Sequence, residues 1–424
     1  MEPMHVLMVT PTFPPALGGG ARYAGALTSQ LVDHGHRVTV VTTNARYDAD
    51  LWDGREEGEV MTGHHGRLRV TRLPVAGALA GRVGLMAWRK GMVVLSQLPG
   101  DPSALLMRMA ARVPRIPGLQ SALEEAAPCD LVHGLNISWE SPLVAGWRLA
   151  RRRGIPFVVT PFVHLGSGAH DRTRLNNTMA HQRRVLADAD AVLAMTDVEA
   201  ERLRGIGVPA DRLHVIGAAV ERPPPSLSEG GLSDLLRRHE LARPFVLFLG
   251  RVSRDKGAIH AAEAVRALHR RGMPVALALV GEAAPEFLRY YRKLPSEERG
   301  WVRVLGVLDD RSKHGLLSAC RLLALPSRAD SFGIVFLEAW AHGKPVIGAR
   351  AGGIPGVVTE GEDGLLVAYG DVAGLARAMS ALLDDPALAR RLGRAGRAKL
   401  SQRYTWEIVY GRLEQVYRAV LDRV

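Results

Sequence analysis

Two carboxylates stand eight positions apart in the stretch RADSFGIVFLEAWAHGKPVIG, residues 328–348. The first, Asp330, precedes Ser331, Phe332 and Gly333, and the second, Glu338, lies between Leu337 and Ala339 in an apolar run. A buried carboxylate without a partner is costly, so Glu338 must meet a cavity or a donor. Ribose hydroxyls are such donors, and a structural cation is the other solution. The strand-like LLALPS ends at Ser327, and a helix is expected from about 331–333 to His342. Asp330 then falls just before a helix, where its plainest role is an N-cap. The amides of Ser331, Phe332 and Gly333 would face an anion at the helix start.

Two cations have the complementary chemistry. GRVSRDKG, residues 250–257, follows the apolar run PFVLFLG and carries Arg251 and Lys256. A planar guanidinium and a compact ammonium together suit a diphosphate, although two cations in a loop are more often a solvated surface. Near the N-terminus, Gly18, Gly19 and Gly20 precede a helix-periodic segment, a second place where amides could meet an anion. This is not a dinucleotide fingerprint. The third glycine is missing, the loop from Pro11 to Leu17 separates strand from glycines, and the second strand ends at Thr43-Asn44 without an acid for a ribose.

The elements that must position these residues are short apolar runs alternating with helical periodicity. HVLMVT, RVTVVTT, 68–73, 130–134, 157–160, 191–194 and 213–216 read as strands, as do PFVLFLG, VALALVG, VRVLG, LLALPS and PVIGA in the second half. Such alternation specifies an α/β chain with parallel, doubly wound sheets, and 424 residues exceed one core. Pro223-Pro224-Pro225 and the polar stretch after it mark a linker, placed at 221–243. The last segment repeats apolar residues at Trp406, Val409, Leu413, Val416 and Val420, one stripe of a long helix.

Composition narrows the function classes. With 47% hydrophobic and 23% charged residues the chain reads as globular, and no apolar run is long enough to span a bilayer. Two distant cysteines, Cys129 and Cys320, fit a reducing cytoplasm. A net charge of +12 favours anionic partners, but no nucleic-acid-binding module accompanies it, so nucleic acid is not expected. Residues 82–120 mix Trp88, Met86, Met92, Leu105, Leu106 and Met107 with Arg82, Arg89, Lys90, Arg108, Arg112 and Arg115. Two readings stand for this region: a basic amphipathic face for a membrane surface, and plain core, which is commoner for helices of this composition.

Taken in order, GRVSRDKG, VLGVLDD, LPSRADSFGIVFLEAWAHGKPVIG and AGGIPGVVTEGEDGLLV, with PTFPPALGGGARYAGALTSQLVDHGHRVTVVTT in the first half, resemble retaining glycosyltransferases of family 4. The resemblance implies a GT-B fold: two Rossmann-like domains facing each other across a cleft, with a C-terminal helix crossing back. It assigns 1–220 to the acceptor, 244–401 to a nucleotide-sugar donor and 402–424 to the closing helix. Arg251 and Lys256 match the family's diphosphate contacts. Asp330 and Glu338 match the two acids of its E-x7-E motif, with Glu338 on the ribose and Asp330 and the amides of 331–333 toward sugar and phosphates. Gly19 and Gly20 match the glycine loop over the donor. His164 matches the cleft histidine near the transferred sugar, and His133, which also ends a strand, is placed on the acceptor side.

Asp330 departs from the family's Glu, and Gly217-Ala218-Ala219 stands where Asn-Gly is usual. Of two D-x-D matches, Asp188-Ala189-Asp190 opens a strand at the wrong edge for a ligand and Asp48-Ala49-Asp50 is placed in a loop; both read as structural. The expectation is therefore metal-independent, cofactor-free transfer with anomeric retention, from a UDP- or GDP-sugar to a glycan, lipid-linked or small-molecule acceptor, in the cytoplasm or peripherally at a membrane. The alternatives are a non-catalytic sugar-nucleotide sensor and a GT-B sugar-nucleotide epimerase.

Overall fold

The structure is a computed structural model that describes residues 3–55, 61–78, 81–164, 172–241, 244–328 and 330–423. It divides into two compact units. The first runs to Gly217 and takes the chain back from Tyr410; the second runs from Ala218 to Val409.

The first unit holds an eight-stranded sheet: β1 His5–Val9, β2 Arg37–Thr43, β3 Met61–His65, β4 Leu68–Leu73, β5 Leu131–Leu135, β6 Phe157–Thr160, β7 Ala191–Ala194 and β8 Leu213–Val215. Its order is β3-β4-β2-β1-β5-β6-β7-β8, parallel throughout except that β3 pairs antiparallel with β4. The second unit holds an all-parallel sheet of β9 Phe245–Leu249, β10 Ala276–Val280, β11 Val302–Gly306, β12 Leu322–Leu325, β13 Val346–Ala349 and β14 Leu365–Val367. Its order is β11-β10-β9-β12-β13-β14. The central strands β9 and β10 are continuous apolar runs because helices cover both faces: every residue of FVLFL and ALALV is buried.

Both sheets reverse direction once. In the first, the order runs outward from β1 to one side and from β5 to the other; in the second, the same break lies between β9 and β12. At such a point the crossovers diverge and leave a crevice beyond the carboxyl ends of the two strands, the usual ligand position in doubly wound sheets.

Several boundaries differ from the sequence reading. The first helix is Gly19–Asp33 and starts two residues earlier, so Gly19 and Gly20 form its first turn behind Gly18 as N-cap. The segment read as a linker, 221–243, contains the helix Glu229–Arg238 within the second unit. Leu227 and Leu235 close over Gly315, where an added Cβ would meet both side chains. Polar and proline content suggested an open connection, but these two leucines anchor it; residues 242 and 243 lie outside the described residues. Asp48-Ala49-Asp50 opens the short helix Asp48–Asp53 and is not a loop. Asp50 accepts the amides of Arg46 (2.7 Å) and Tyr47 (3.2 Å), and Asp190 accepts the amide of Phe157 and Arg151, both at 2.8 Å.

The final helix, Trp406–Leu421, buries Val409, Tyr410, Leu413, Val416, Tyr417 and Val420. Within the first unit, Tyr410 stacks on His34 (centroids 3.8 Å apart) and bonds His36 (3.0 Å). Arg412 donates to the Ile216 carbonyl at 3.3 Å. Among the described residues no helix is long and apolar enough to cross a membrane.

One glycine between strands admits nothing larger. Gly281, just past β10, has φ 139°, and an added Cβ would collide with the carbonyl oxygen of Gly250 at the end of β9. Gly281→Ala is expected to cost about 3 kcal/mol or more, combining backbone strain with a clash that only backbone movement relieves. Thermal melting followed by circular dichroism checks this; a variant that melts with the parent contradicts it.

Candidate functional site

The second unit places its predicted residues at its own switch point. Arg251 and Lys256 lie in the loop leaving β9, and Asp330 in the loop leaving β12, the adjacent strand. These loops are tied together: the Arg328 amide donates to the Asp255 carbonyl (3.0 Å), and its guanidinium pairs with the Asp255 carboxylate (2.9 Å). The structure brings Lys256 and Asp330 into an ion pair, Nζ to Oδ1 2.9 Å, partly exposed on both sides. Arg251 is exposed one residue beyond Gly250.

The helix that follows is Ile334–Ala341, with Gly333 as N-cap at φ 87°. Asp330 is therefore three residues short of the cap position, and its side chain is turned to Lys256. Phe332 is buried edge-on against Tyr404, centroids 5.4 Å apart, which anchors the backbone of 331–333. A third loop, leaving β13, closes against this turn: Gly353 donates to the Asp330 carbonyl at 2.7 Å, and a Cβ on Gly352 or Gly353 would strike the carbonyls of Asp330 or Ser331. The AGG of 351–353 is thus a packing requirement of the turn that carries the acid.

Glu338 does meet a donor, and it is a cation. Lys313, on the helix Asp310–Ala319, donates to Glu338 Oε1 at 2.7 Å with both side chains buried, and reaches Asp310 at 2.8 Å. Sequence reasoning missed Lys313. Its only local signal is an Asp three residues before it on a helix, while its partner lies 25 positions away.

In the first unit, the glycine helix and the loop after β6 come together. The Gly20 position lies 3.9 Å, at an added Cβ, from the Phe162 ring, and Tyr23 meets the same ring edge-on at 5.4 Å. Phe162 precedes Val163 and the partly buried His164. The loop is held by a residue that was not foreseen, Glu199. Its carboxylate accepts the amides of Val163 (2.6 Å) and Met195 (2.7 Å), and complete burial pushes it up to about 7 against those bonds. T-x-x-E at 196–199 was the available signal, an N-terminal capping pattern. Thr196 does cap the helix, but Glu199 reaches across to the neighbouring strand exit.

His133 requires a correction. It lies within β5, wholly buried, with Nδ1 2.6 Å from the Tyr417 hydroxyl and Nε2 2.8 Å from the Thr160 hydroxyl. It pins the final helix to the sheet and lies inside the strand, not at its exit, because β5 continues two residues past it. Nearby, at the β5 exit, Glu140 is buried beside Arg89 (3.4 Å), and burial pushes it up to about 7 despite the guanidinium.

Two expectations follow. Burial holds His133 down at about 3, below the ordinary 6.5, so the native state refuses a proton that the unfolded chain takes. Its stability contribution is complete above about pH 6.5 and falls by about 1.4 kcal/mol per unit as pH drops toward 3. The His133 ring resonances, assigned by their loss in His133→Gln, should stay unmoved from neutral pH to well below 5; a midpoint between 6 and 7 contradicts this. Replacing Lys313 with Met removes the cation beside buried Glu338 and should cost about 3–5 kcal/mol, much of it recovered by adding Glu338→Leu. Urea unfolding of the two variants decides between a coupled pair and two independent surface charges.

With this geometry in view, known proteins supply the family. Residues 18–219 match the model of the glycosyl transferase 4-like domain, and residues 243–385 that of glycosyl transferases group 1. The chain is 31% identical over 355 residues to D-inositol 3-phosphate glycosyltransferase 1 of Catenulispora acidiphila, covering 78% of this chain and 82% of that protein. It is 33% identical over 260 residues to alpha-maltose-1-phosphate synthase of Mycolicibacterium smegmatis, covering 56% and 65%. The chain spans 44–65% of the length of the mycobacterial relatives it matches, this synthase among them. Sucrose-phosphate synthase from Thermosynechococcus elongatus has the same fold, with a TM-score of 0.73 at 23% identity over 100% of both chains. By both matched halves and by its similarity over 82% of a relative's length, the chain belongs to the group 1, family 4 glycosyl transferases and has their GT-B fold.

Proposed function

We propose that this protein transfers a sugar from a nucleotide-sugar donor to an acceptor hydroxyl, with retention of anomeric configuration and without a metal ion. The observation that carries the reading is the Lys256–Asp330 pair, 2.9 Å apart between the loops of β9 and β12 at the switch point of the second sheet.

Cleaving the anomeric C–O bond leaves oxocarbenium character on the sugar and negative charge on the departing diphosphate, and fixed positive groups lower that barrier. Lys256 and Arg251 supply the charge, and the amides at 331–333 add the positive end of a helix. Asp330, held by Lys256, accepts hydroxyls of the donor sugar; Glu338, held by Lys313, accepts those of the ribose. Gly19, Gly20 and His164 keep donor-contact roles on the family pattern alone. Retention rests on family membership: the acceptor attacks the face the diphosphate leaves, and a leaving-group oxygen takes the acceptor proton. The acceptor in this reading is a carbohydrate or lipid-linked hydroxyl, and a lipid-linked one places the enzyme peripherally at a membrane.

Release of nucleoside diphosphate from labelled sugar nucleotides tests the reading, after a thermal-shift series with UDP, GDP and ADP has identified the base. Lys256→Ala is expected to lower turnover roughly 30- to 1000-fold, about 2–4 kcal/mol of transition-state stabilisation, with no dependence on chelator. Unchanged turnover in that variant removes Lys256 from the mechanism. Tight donor binding with no release by the parent chain identifies a sensor instead.

A further inference from the structure

The helices Gly81–Ser96 and Ser103–Ala110 carry apolar side chains on faces that the fold does not cover. Gly81–Ser96 buries Leu85, Arg89 and Met92 on one side. On the opposite side Val83 (74% exposed), Met86, Lys90 and Val94 (63% exposed) recur every three or four residues, and Leu98 continues the exposure into the loop. The second helix buries Leu106, Met107 and Ala110 and exposes Leu105 and Arg108. Of the nine large hydrophobic side chains exposed among the described residues, five lie between 83 and 105. A helix apolar on both sides has a second apolar environment to satisfy, and clustered exposure of this kind marks an interaction site.

The charges around these side chains indicate which environment. From Gly81 to Gly118 the exposed ionisable residues are Arg82, Lys90, Arg108, Arg112 and Arg115 against one acid, Asp101. Arg82 makes a 3.3 Å pair with Asp53, and Arg112 lies over the Trp88 ring at 5.4 Å. Trp88 in turn donates to the Met109 carbonyl (3.2 Å), tying the two helices together. Apolar side chains interleaved with basic ones meet both requirements of an interfacial helix: insertion at the acyl boundary and attraction to anionic headgroups. A second copy of the same face would set like charges against each other, and protein interfaces deplete lysine at their centres.

We propose that the outer faces of Gly81–Ser96 and Ser103–Ala110, with the loop between them, dock this protein on an anionic lipid surface. The contact is peripheral: Val83, Met86, Val94, Leu98 and Leu105 enter the headgroup boundary while Lys90 and Arg108 meet lipid phosphates. Docking does not rest on the transferase reading, because none of these residues belongs to the donor machinery.

Co-sedimentation of the full chain with vesicles tests it, without donor present. Binding to phosphatidylglycerol-containing vesicles should be at least about 10-fold tighter than to phosphatidylcholine alone and should be lost in high salt. Val83→Glu with Leu105→Glu, and separately Lys90→Glu with Arg108→Glu, should each weaken it about 10-fold or more while melting temperature and donor hydrolysis stay unchanged. Absence of binding to either vesicle, binding undiminished in both variants, or concentration-dependent dimerisation abolished by Val83→Glu overturns the proposal. Failure here with donor hydrolysis intact leaves the transferase reading standing.

Discussion

A parallel sheet covered on both faces can present functional groups only where its strands end. Its interior side chains are packed, and its backbone donors and acceptors are consumed by the ladder. In each unit of this protein the strand order reverses once, between β1 and β5 and between β9 and β12, and the diverging crossovers open the strand exits at that point. Of the predicted donor residues of the second unit, Arg251, Lys256 and Asp330 sit in the loops of β9 and β12 and Glu338 in the helix that follows; the glycines of the first unit lie in the helix that follows the β1 loop. His133 differs because it is inside β5, where the same constraint makes it a packing and hydrogen-bonding residue.

Loops at a strand exit need an internal framework, and here buried ion pairs and tight backbone contacts supply it. Lys313 holds Glu338 and so joins two helices that flank β12. Lys399 does the same for the segment after β13, donating to the Val357 carbonyl (2.6 Å), Thr359 (2.9 Å) and Asp363 (2.7 Å). Trp340 then donates to the Asp363 carbonyl at 3.0 Å. The helix that begins at Gly333 is therefore fixed at both Glu338 and Trp340, which leaves its first amides little freedom. In the first unit Glu199 plays the comparable part for the loop before His164, at the expense of an ionised carboxylate being disfavoured by burial.

The final helix shows how a few polar contacts select a packing among many apolar ones. Its stripe of Val409, Leu413, Val416 and Val420 would suit any hydrophobic face. Tyr410 at His36 and Tyr417 at His133 specify which face and which register, since each buried hydroxyl needs its partner in one place.

Much of this was legible in the residues themselves. Apolar runs of the right length marked twelve of the fourteen described strands, because a doubly covered strand tolerates little else; β3 and β14 were not read as strands. The order of GRVSRDKG, RADSFG and FLEAW carried the family. An acid between Leu337 and Ala339 announced a buried carboxylate in need of a donor. Sequence could not name that donor: Lys313 precedes Glu338 by 25 residues and becomes its neighbour only when β12 places their helices side by side. Likewise the strand-ending position of His133 pointed to a surface, and only the sheet's register and the returning helix made it interior. The helix in the supposed linker, the reach of Glu199 and the uncovered face of Gly81–Ser96 were decided in tertiary structure for the same reason. Local pattern reports what a residue prefers, whereas burial and partnership depend on segments that the chain brings together from far away.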